Sequence, residues 1–380
     1  MSEALISFGA TTPGMAQVWS DQSTLGHALQ FEAALANAQS ACGLLDNDTA
    51  DRVAQVCESA TFDTAQLSQQ AALAGTLAIP LVRQIREALP EEIQGAVHMG
   101  ATSQDLADTV MMLQVRDAAA LLSEDAARIC KALAALTRKY ASTPAMGRTL
   151  LQDALPIGLG LRMAQWHAGI AAAASSLDEA VRRHALLQFG GAVGTRSNLD
   201  GKGDQVAQHL AEALGLPAAP PWHARRTGVA AIAASVAILV GAVGKMARDI
   251  GLLAQSGIGE MHEPQVAGRG GSSAMAHKRN PTGCQTALSA ATRAPGLAAT
   301  IFSALPAEQE RGLGGWQAEW PVMAELFQIA AAGLAAMADV AEGLEIDEAA
   351  LAANLGEGDA GIGESAALVE SILSAGSRGD

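Results

Sequence analysis

From about residue 98 onward, the chain consists of long helical segments separated by glycine-rich loops. Five segments carry apolar residues at helical spacing, and each is far longer than the average helix of about 11 residues. They cover about residues 103–141, 156–188, 227–255, 282–305 and 320–342. Long helices joined by loops pack most simply side by side, so the sequence predicts an all-α protein built on a long central helical bundle.

The composition supports the same fold class. Alanine and leucine, both strong helix formers, are abundant, whereas aromatic residues make up only 3% of the chain. No run of alternating β-branched residues indicates a strand, and no Asn-Gly pair indicates a hairpin. The uncharged stretch 228–244 spans about 25 Å as a helix, which is shorter than a typical bilayer core. We therefore expect a helix buried in the bundle and no membrane span.

Three regions are expected along the chain. Residues 1–97 contain helical stretches at 21–41 and 71–88, the second interrupted at Pro80, and predict a smaller N-terminal helical domain. Residues 98–343 form the central bundle, and residues 344–380 a short C-terminal region.

The formal net charge of -15 disfavours nucleic-acid binding, which needs a basic surface. The N-terminus shows no basic stretch followed by an apolar one, and the four cysteines form no CxxC pair. These features predict a cytoplasmic protein with free thiols. In so acidic a protein, an anionic substrate requires a local basic pocket.

One long loop has a composition suited to such a pocket. The stretch EPQVAGRGGSSAMAHKRNP, residues 263–281, combines glycines, two serines and four basic side chains. Glycines let a backbone present N–H groups to an anion, and the basic residues add positive charge. This composition suits the binding of a carboxylate. The alternative interpretation is a solvated basic loop without function.

The order of residues in this loop resembles a family signature. GSSAMAHKRNP, residues 271–281, is similar to the GSSxMPxKxNP pattern of the fumarase/aspartase superfamily and departs from it at Ala276. HMGATSQDLADT, residues 98–109, and GRTLLQDALP, residues 147–156, resemble the other two signature regions of that superfamily. Three matches in family order identify the chain as a member.

Further segments resemble one branch, the carboxymuconate cycloisomerases. These are PWHARR, residues 221–226, and ERGLGGWQAEW, residues 310–320. Leu150 stands where fumarases and adenylosuccinate lyases carry a catalytic His, and an aliphatic side chain transfers no proton. Asp153 departs from the His that this branch often has. The resemblance implies lactone formation from a small tricarboxylate, with another superfamily lyase or a non-catalytic helical scaffold as alternatives.

The resemblance also implies roles for individual residues. Ser272 is the expected proton donor, Lys278 and Asn280 are expected to stabilise the developing dianion, and His98 is expected to orient substrate or transfer a proton. The expected substrate-binding residues are Thr102, Ser103, Arg148, Arg311, Ser273, Met275 and His277, with His223 as a further candidate. Helix capping by Thr102 and Ser103, and pairing of Arg311 with Glu310 or Glu319, are the structural alternatives.

No metal site and no cofactor is expected, because the sequence contains no HExxH motif and no carboxylate set with cation-site spacing. In this superfamily the three signature regions meet from three subunits of a homotetramer, and the resemblance implies the same assembly here. Longer family members carry a further helical domain at the C-terminus, so residues 344–380 are expected to be a truncated remnant of it.

Overall fold

The computed structural model describes residues 9–271, 275, 278–356 and 361–376. Within these residues, five α-helices and a 3-10 helix come first along the chain, and all but α2 are short. They are α1 (Pro13–Val18), α2 (Asp21–Ala41), α3 (Asn47–Ser59), α4 (Thr64–Ala74), α5 (Ala78–Glu87) and a 3-10 helix (Glu91–Ala96).

Five long helices then form the central bundle and confirm the predicted all-α fold. They are α6 (Ser103–Lys139), α7 (Leu159–His184), α9 (Thr227–Leu253), α10 (Thr282–Ser303) and α11 (Gly315–Glu342). A shorter helix, α8 (Gly203–Leu214), lies between α7 and α9 in the chain, and α12 (Glu348–Leu355) and α13 (Ser365–Gly376) follow the bundle. One continuous cluster of buried side chains runs from Met15 to Leu351, so the short N-terminal helices pack on the same core as the long ones.

The apolar stretch 228–244 lies within α9, as expected for a bundle helix. Both α9 and α11 are long and apolar enough to cross a membrane by length and composition alone, yet 56% and 61% of their most apolar windows are buried. The two helices pack against each other and against α10, and α9 also contacts α7. Their apolar side chains are therefore largely used in helix packing.

A β-hairpin follows α6 and was not expected from the sequence. Strand β1 (Pro144–Thr149) pairs antiparallel with β2 (Gln152–Gly158), and the two-residue turn between them consists of Leu150 and Leu151. Both leucines have positive φ angles, 52° and 63°, which such turns require and which Asn-Gly usually supplies. The absence of that turn signal explains why the hairpin was missed. A second, two-residue ladder joins β3 (Met261–His262) to β4 (Glu345–Ile346).

Three predicted helix boundaries were wrong. The stretch 71–88 is divided between α4 and α5, because Gly75 ends α4 in the left-handed conformation (φ 74°) and Pro80 lies in the first turn of α5. The segment expected from 156 begins at Leu159, after the hairpin, and the one expected from 320 begins at Gly315. The domain boundaries at 97 and 343 stay predictions.

Candidate active site

The signature region 98–109 forms the approach to α6 and its first two turns. His98 has a φ of 62°, and Gly100, at 71°, lies where an added Cβ would be 2.7 Å from a methyl carbon of Leu199. Thr102 is the N-cap residue of the 37-residue α6, and Ser103 is its first helical residue. The free N–H groups and the positive dipole end of this helix favour an anion here.

A single buried carboxylate fixes this backbone. Asp105, fully buried, accepts hydrogen bonds from the backbone N–H groups of Thr102 at 2.9 Å, Gly190 at 2.9 Å and Gly191 at 2.8 Å. The Nε2 atom of His223 lies 2.7 Å from the same carboxylate. His223 is itself buried, so it braces the start of α6.

A second buried acid holds His98. The Nδ1 atom of His98 lies 2.6 Å from Oε1 of Glu32, whose side chain is fully buried in α2. Burial and the nearby charge of Arg86 lower the pKa of His98, but the charge and hydrogen bond of Glu32, together with Asp105, outweigh them, and the net pKa is raised above 6.5. Because the folded pKa lies above the unfolded one, this pair stabilises the fold fully below about pH 6.5, and its contribution is lost as the pH rises through the raised pKa. Glu32 thus makes His98 easier to protonate than a buried histidine without an acidic partner.

Arg311 lies at this same end of the bundle. Its Nη2 donates to the carbonyl of Ala192 at 3.0 Å, beside the Gly191 that is bonded to Asp105. Its Nε is buried without a partner among the described residues. Glu319, one of the two acids considered as a partner for Arg311, pairs instead with Arg226.

Arg226 forms a fully buried ion-pair cluster with two acids. Its guanidinium is 1% exposed and contacts the carboxylates of Asp108, at 2.7 and 2.9 Å, and of Glu319. Burial lowers the pKa of Arg226, but Asp108 and Glu319 raise it by more than burial lowers it, so the side chain stays charged. The pair joins α6, α9 and α11 just below the start of α6.

The signature region 147–156 is the hairpin, at the opposite end of α6. Arg148 donates to both oxygens of the fully buried Glu260, at 2.7 and 3.1 Å, and its Nε donates to Asp153 at 3.0 Å. Asp153 therefore has a partner within the hairpin. Leu150, at the turn, is 97% exposed.

The third signature region lies at this hairpin end as well. Glu260 immediately precedes β3, and Glu263, after β3, accepts from the N–H groups of Gly283 at 3.0 Å and Cys284 at 2.7 Å. Arg279 donates to the carbonyl of Glu263 at 2.7 Å. The signature loop thus begins and ends beside the first turn of α10.

The described part of the signature loop has a tight backbone and an exposed lysine. Gly270 has a φ of 71°, and a Cβ there would lie 2.5 Å from the carbonyl oxygen of Asn280. The N–H of Asn280 donates to the carbonyl of Gly270 at 2.9 Å, and Lys278 and Met275 are exposed. A cavity of about 410 Å³ contacts Lys278 and Asn280. Ser272, Ser273 and His277 lie outside the described residues.

The predicted residues therefore form two groups in one chain. His98, Thr102, Ser103 and Arg311 lie at one end of the bundle, whereas Arg148, Lys278 and Asn280 lie at the other. Between them, α6 extends over 37 residues, or about 55 Å at 1.5 Å per residue. Within residues 9–271, 275, 278–356 and 361–376, no group of three or more His, Cys, Asp or Glu side chains could hold a metal ion.

Sequence reasoning missed Glu32 and Glu260. Glu32 had a usable signal, because it lies three residues after Leu29 and seven after Leu25 and so falls on the apolar face of α2. An acid on a buried face needs a partner. Glu260 follows a loop and had no comparable signal.

The family described as Lyase matches residues 7–296. The chain belongs to the lyase family of the fumarase/aspartase superfamily. Among the relatives of this lyase, the 3-carboxy-cis,cis-muconate cycloisomerase of Bradyrhizobium diazoefficiens is 45% identical over 339 residues, covering 88% of this chain and 75% of the relative. The crystal structure of the 3-carboxy-cis,cis-muconate lactonizing enzyme from Pseudomonas putida matches with a TM-score of 0.88 at 35% identity, covering 99% of this chain and 88% of that one.

A relative with a different name is also similar to this lyase. The nitrosuccinate lyase of Streptomyces davaonensis is 36% identical over 364 residues, covering 91% of this chain and 75% of the relative. The family thus supports more than one reaction on a shared scaffold, and the reaction of this member must be argued from its own residues.

Proposed function

We propose that this lyase is a 3-carboxy-cis,cis-muconate cycloisomerase, which closes its tricarboxylate substrate to 4-carboxymuconolactone without a cofactor. The 45% identity to a cycloisomerase over 88% of the chain carries this proposal. Leu150 agrees with it: the exposed hairpin turn presents an aliphatic side chain where fumarases and adenylosuccinate lyases have a proton-transferring His.

The chemistry is an intramolecular addition. A carboxylate oxygen of the substrate adds to one carbon of a conjugated double bond, and the electron pair of that bond moves to the neighbouring carbon. This carbon bears another carboxylate, so the charge spreads over it as an aci-carboxylate dianion. A proton from the proposed donor Ser272 then bonds to the carbon, and solvent returns a proton to the serine. The ionised substrate thus gains one proton, and the lactone is an isomer of the fully protonated substrate acid.

Stabilisation of this dianion is the main task of the site. Lys278, Asn280 and the N–H groups of the signature loop are the proposed donors, and Ser272 is the proposed proton donor. The cavity beside Lys278 and the close Gly270–Asn280 backbone contact support this assignment. Fixed donors aimed at developing charge commonly contribute about 10²–10³ each in rate.

The substrate carboxylates are assigned to the other motif residues. Thr102 and Ser103, at the dipole end of α6, are proposed to bind one carboxylate, beside His98, whose Nδ1 atom is held by Glu32. Arg311 is proposed for another carboxylate, and Ser273, Met275 and His277 for substrate contacts in the loop. Arg148 is held by Glu260, which orients its guanidinium while lowering the net charge that it offers a ligand.

A homotetramer with shared sites is proposed for the assembly. The two groups of site residues lie at opposite ends of α6, so one chain does not bring them together. Large apolar side chains are exposed on the long helices, including Ile238 at 60% and Phe302 at 44%, and Leu150 projects from the hairpin. Other copies of the chain suit these surfaces. A soluble cytoplasmic location is proposed with it.

An assay for loss of the conjugated diene of 3-carboxy-cis,cis-muconate, with a chelator present, tests the function. Wild type is expected to consume the diene, and Ser272→Ala to be slower by about 10²–10⁴, the range for general acid catalysis. Equal rates for the two proteins would contradict the role of Ser272, and no consumption by wild type would contradict the function.

The nearest competing function is that of another superfamily lyase, and the nitrosuccinate lyase relative is the observation in its favour. Such an enzyme eliminates a group from an open-chain succinyl substrate and forms fumarate. Offering the same preparation nitrosuccinate and an N-succinyl substrate, and measuring fumarate, separates the two functions. A non-catalytic scaffold would act on none of the three substrates.

A further inference from the structure

A cavity of about 480 Å³ lies between α5 and the N-terminus of α6. His98 and Ser103 line it together with Val82, Arg83 and Arg86 from α5. Its volume falls in the range of small-molecule sites, about 300–1,000 Å³. The substrate-facing residues of the first signature region therefore share a cavity with a helix that carries no signature.

Arg86 places a positive charge at this cavity, and few of its N–H groups bond to the protein. Its Nη2 donates to the carbonyl of Val97 at 2.9 Å, and its Nε is buried without a partner among the described residues. Arg83, one turn earlier, is in contrast mostly exposed and shared between Gln70, at 3.0 Å, and Glu87, at 3.8 Å. A half-buried guanidinium with unused N–H groups is costly unless an acceptor reaches it.

The surroundings of Arg86 favour an anionic acceptor. The N-terminus of the 37-residue α6 directs its positive dipole end toward Ser103, and Glu32 holds His98 by its Nδ1 atom at 2.6 Å. Among the described residues that line the cavity, Glu87 is the one acidic side chain, and it is mostly exposed beside Arg83. A planar guanidinium matches a carboxylate with two parallel hydrogen bonds.

We propose that Arg86 is a further substrate-binding residue, which takes one carboxylate of the substrate in the cavity that it shares with His98 and Ser103. This inference rests on the proposed function, because it places a carboxylate of that substrate. It adds a residue from outside the three signature regions and makes α5 a wall of the active site.

The test compares Arg86→Gln and Arg86→Lys with the control Arg52→Gln. Arg52 carries the same charge on α3, where it is half exposed, pairs with Asp48 at 2.9 Å and is not among the residues that line the cavity. Turnover of 3-carboxy-cis,cis-muconate gives kcat and KM. Calorimetry with propane-1,2,3-tricarboxylate, an inert tricarboxylate, gives a Kd that does not depend on catalysis. Thermal unfolding reports whether each variant is folded.

Arg86→Gln is expected to raise KM and Kd about 10- to 100-fold, the loss of a charged hydrogen-bonded pair, while kcat falls less than about threefold. Arg86→Lys keeps the charge without the planar guanidinium, so its KM is expected to lie between those of wild type and Arg86→Gln. Arg52→Gln is expected to stay within about twofold of wild type.

Two results would overturn the assignment. One is a KM and Kd of Arg86→Gln within about twofold of wild type. The other is an equal rise of KM and Kd in Arg52→Gln, which would indicate a diffuse charge effect. If Arg86→Gln does not fold, Arg86→Lys decides, and a wild-type KM for that variant rejects the role. Wild type that binds the tricarboxylate but leaves the diene intact contradicts the proposed function, and the Kd values then still test Arg86.

Discussion

Mixing two inactive variants tests whether sites are shared between chains. His98→Asn damages the end of the bundle at the start of α6, and Lys278→Met damages the end that holds the signature loop. About 55 Å of helix separates these ends in one chain, which is several times the size of the substrate. Each variant alone is expected to be inactive or nearly so.

The recovered activity can be calculated from the geometry. The variants are denatured, mixed in equal amounts and refolded, so that chains assort at random. A site that takes its His98 from one chain and its Lys278 from another is native when both donors carry the undamaged residue. Each condition holds for half of the chains, so about one quarter of wild-type activity is expected.

A matched control uses the same two substitutions in one chain. Wild type mixed equally with the His98→Asn/Lys278→Met double variant is expected to give about one quarter of full activity if sites are shared, but about one half if each chain has its own site. Native mass spectrometry verifies that hybrid assemblies form. No recovery from the single variants, together with one half in the control, would refute the reasoning.

Three further substitutions test single contacts. Glu32→Gln removes the main charge that raises the pKa of His98, so burial and the charge of Arg86 lower that pKa, and the alkaline limb of kcat/KM is expected to move to lower pH; an unmoved limb would exclude His98 as the titrating group. Arg226→Met leaves two buried carboxylates without their cation and is expected to cost about 3–5 kcal/mol, measured by denaturant unfolding; a midpoint like that of wild type would be contrary evidence. Gly270→Ala introduces a 2.5 Å contact across the loop and is expected to lower kcat at least about tenfold with little change in Tm, whereas Gly271→Ala, with nothing within 4 Å, is expected to have a milder effect; equal losses would argue against the backbone contact.

The helices could be predicted from the sequence because their signal is local. The apolar spacing of α2 and of the five long helices, with polar or glycine-rich loops between them, defined most helix ends within a few residues. The hairpin could not be predicted in this way. Its turn is Leu150-Leu151, whose left-handed backbone no leucine favours, so tertiary contacts must outweigh local preference there.

The site could be predicted only in part, for a similar reason. Motif residues such as Thr102 and Lys278 lie in continuous signatures, so sequence order alone indicates them. Glu32 and Arg86 act on the same region from helices more than ten residues away in the chain, and a single sequence does not show that α2 and α5 meet α6 at that point. The length and direction of α6 were also needed to show which motifs lie at the same end of the bundle in one chain.

The four hydrogen bonds to Asp105 have a consequence for redesigning substrate choice. They join the loop at 98–102 to the segments at 190–191 and 223. These bonds hold the conformation of this loop, which lies beside the cavity, and none of the four involves α5. Ile79 and Val82, on α5, form part of the cavity wall without holding any of these bonds. A library that varies Ile79 and Val82 can therefore change the shape of the cavity, and with it the substrates that fit, while Asp105 keeps its four hydrogen bonds.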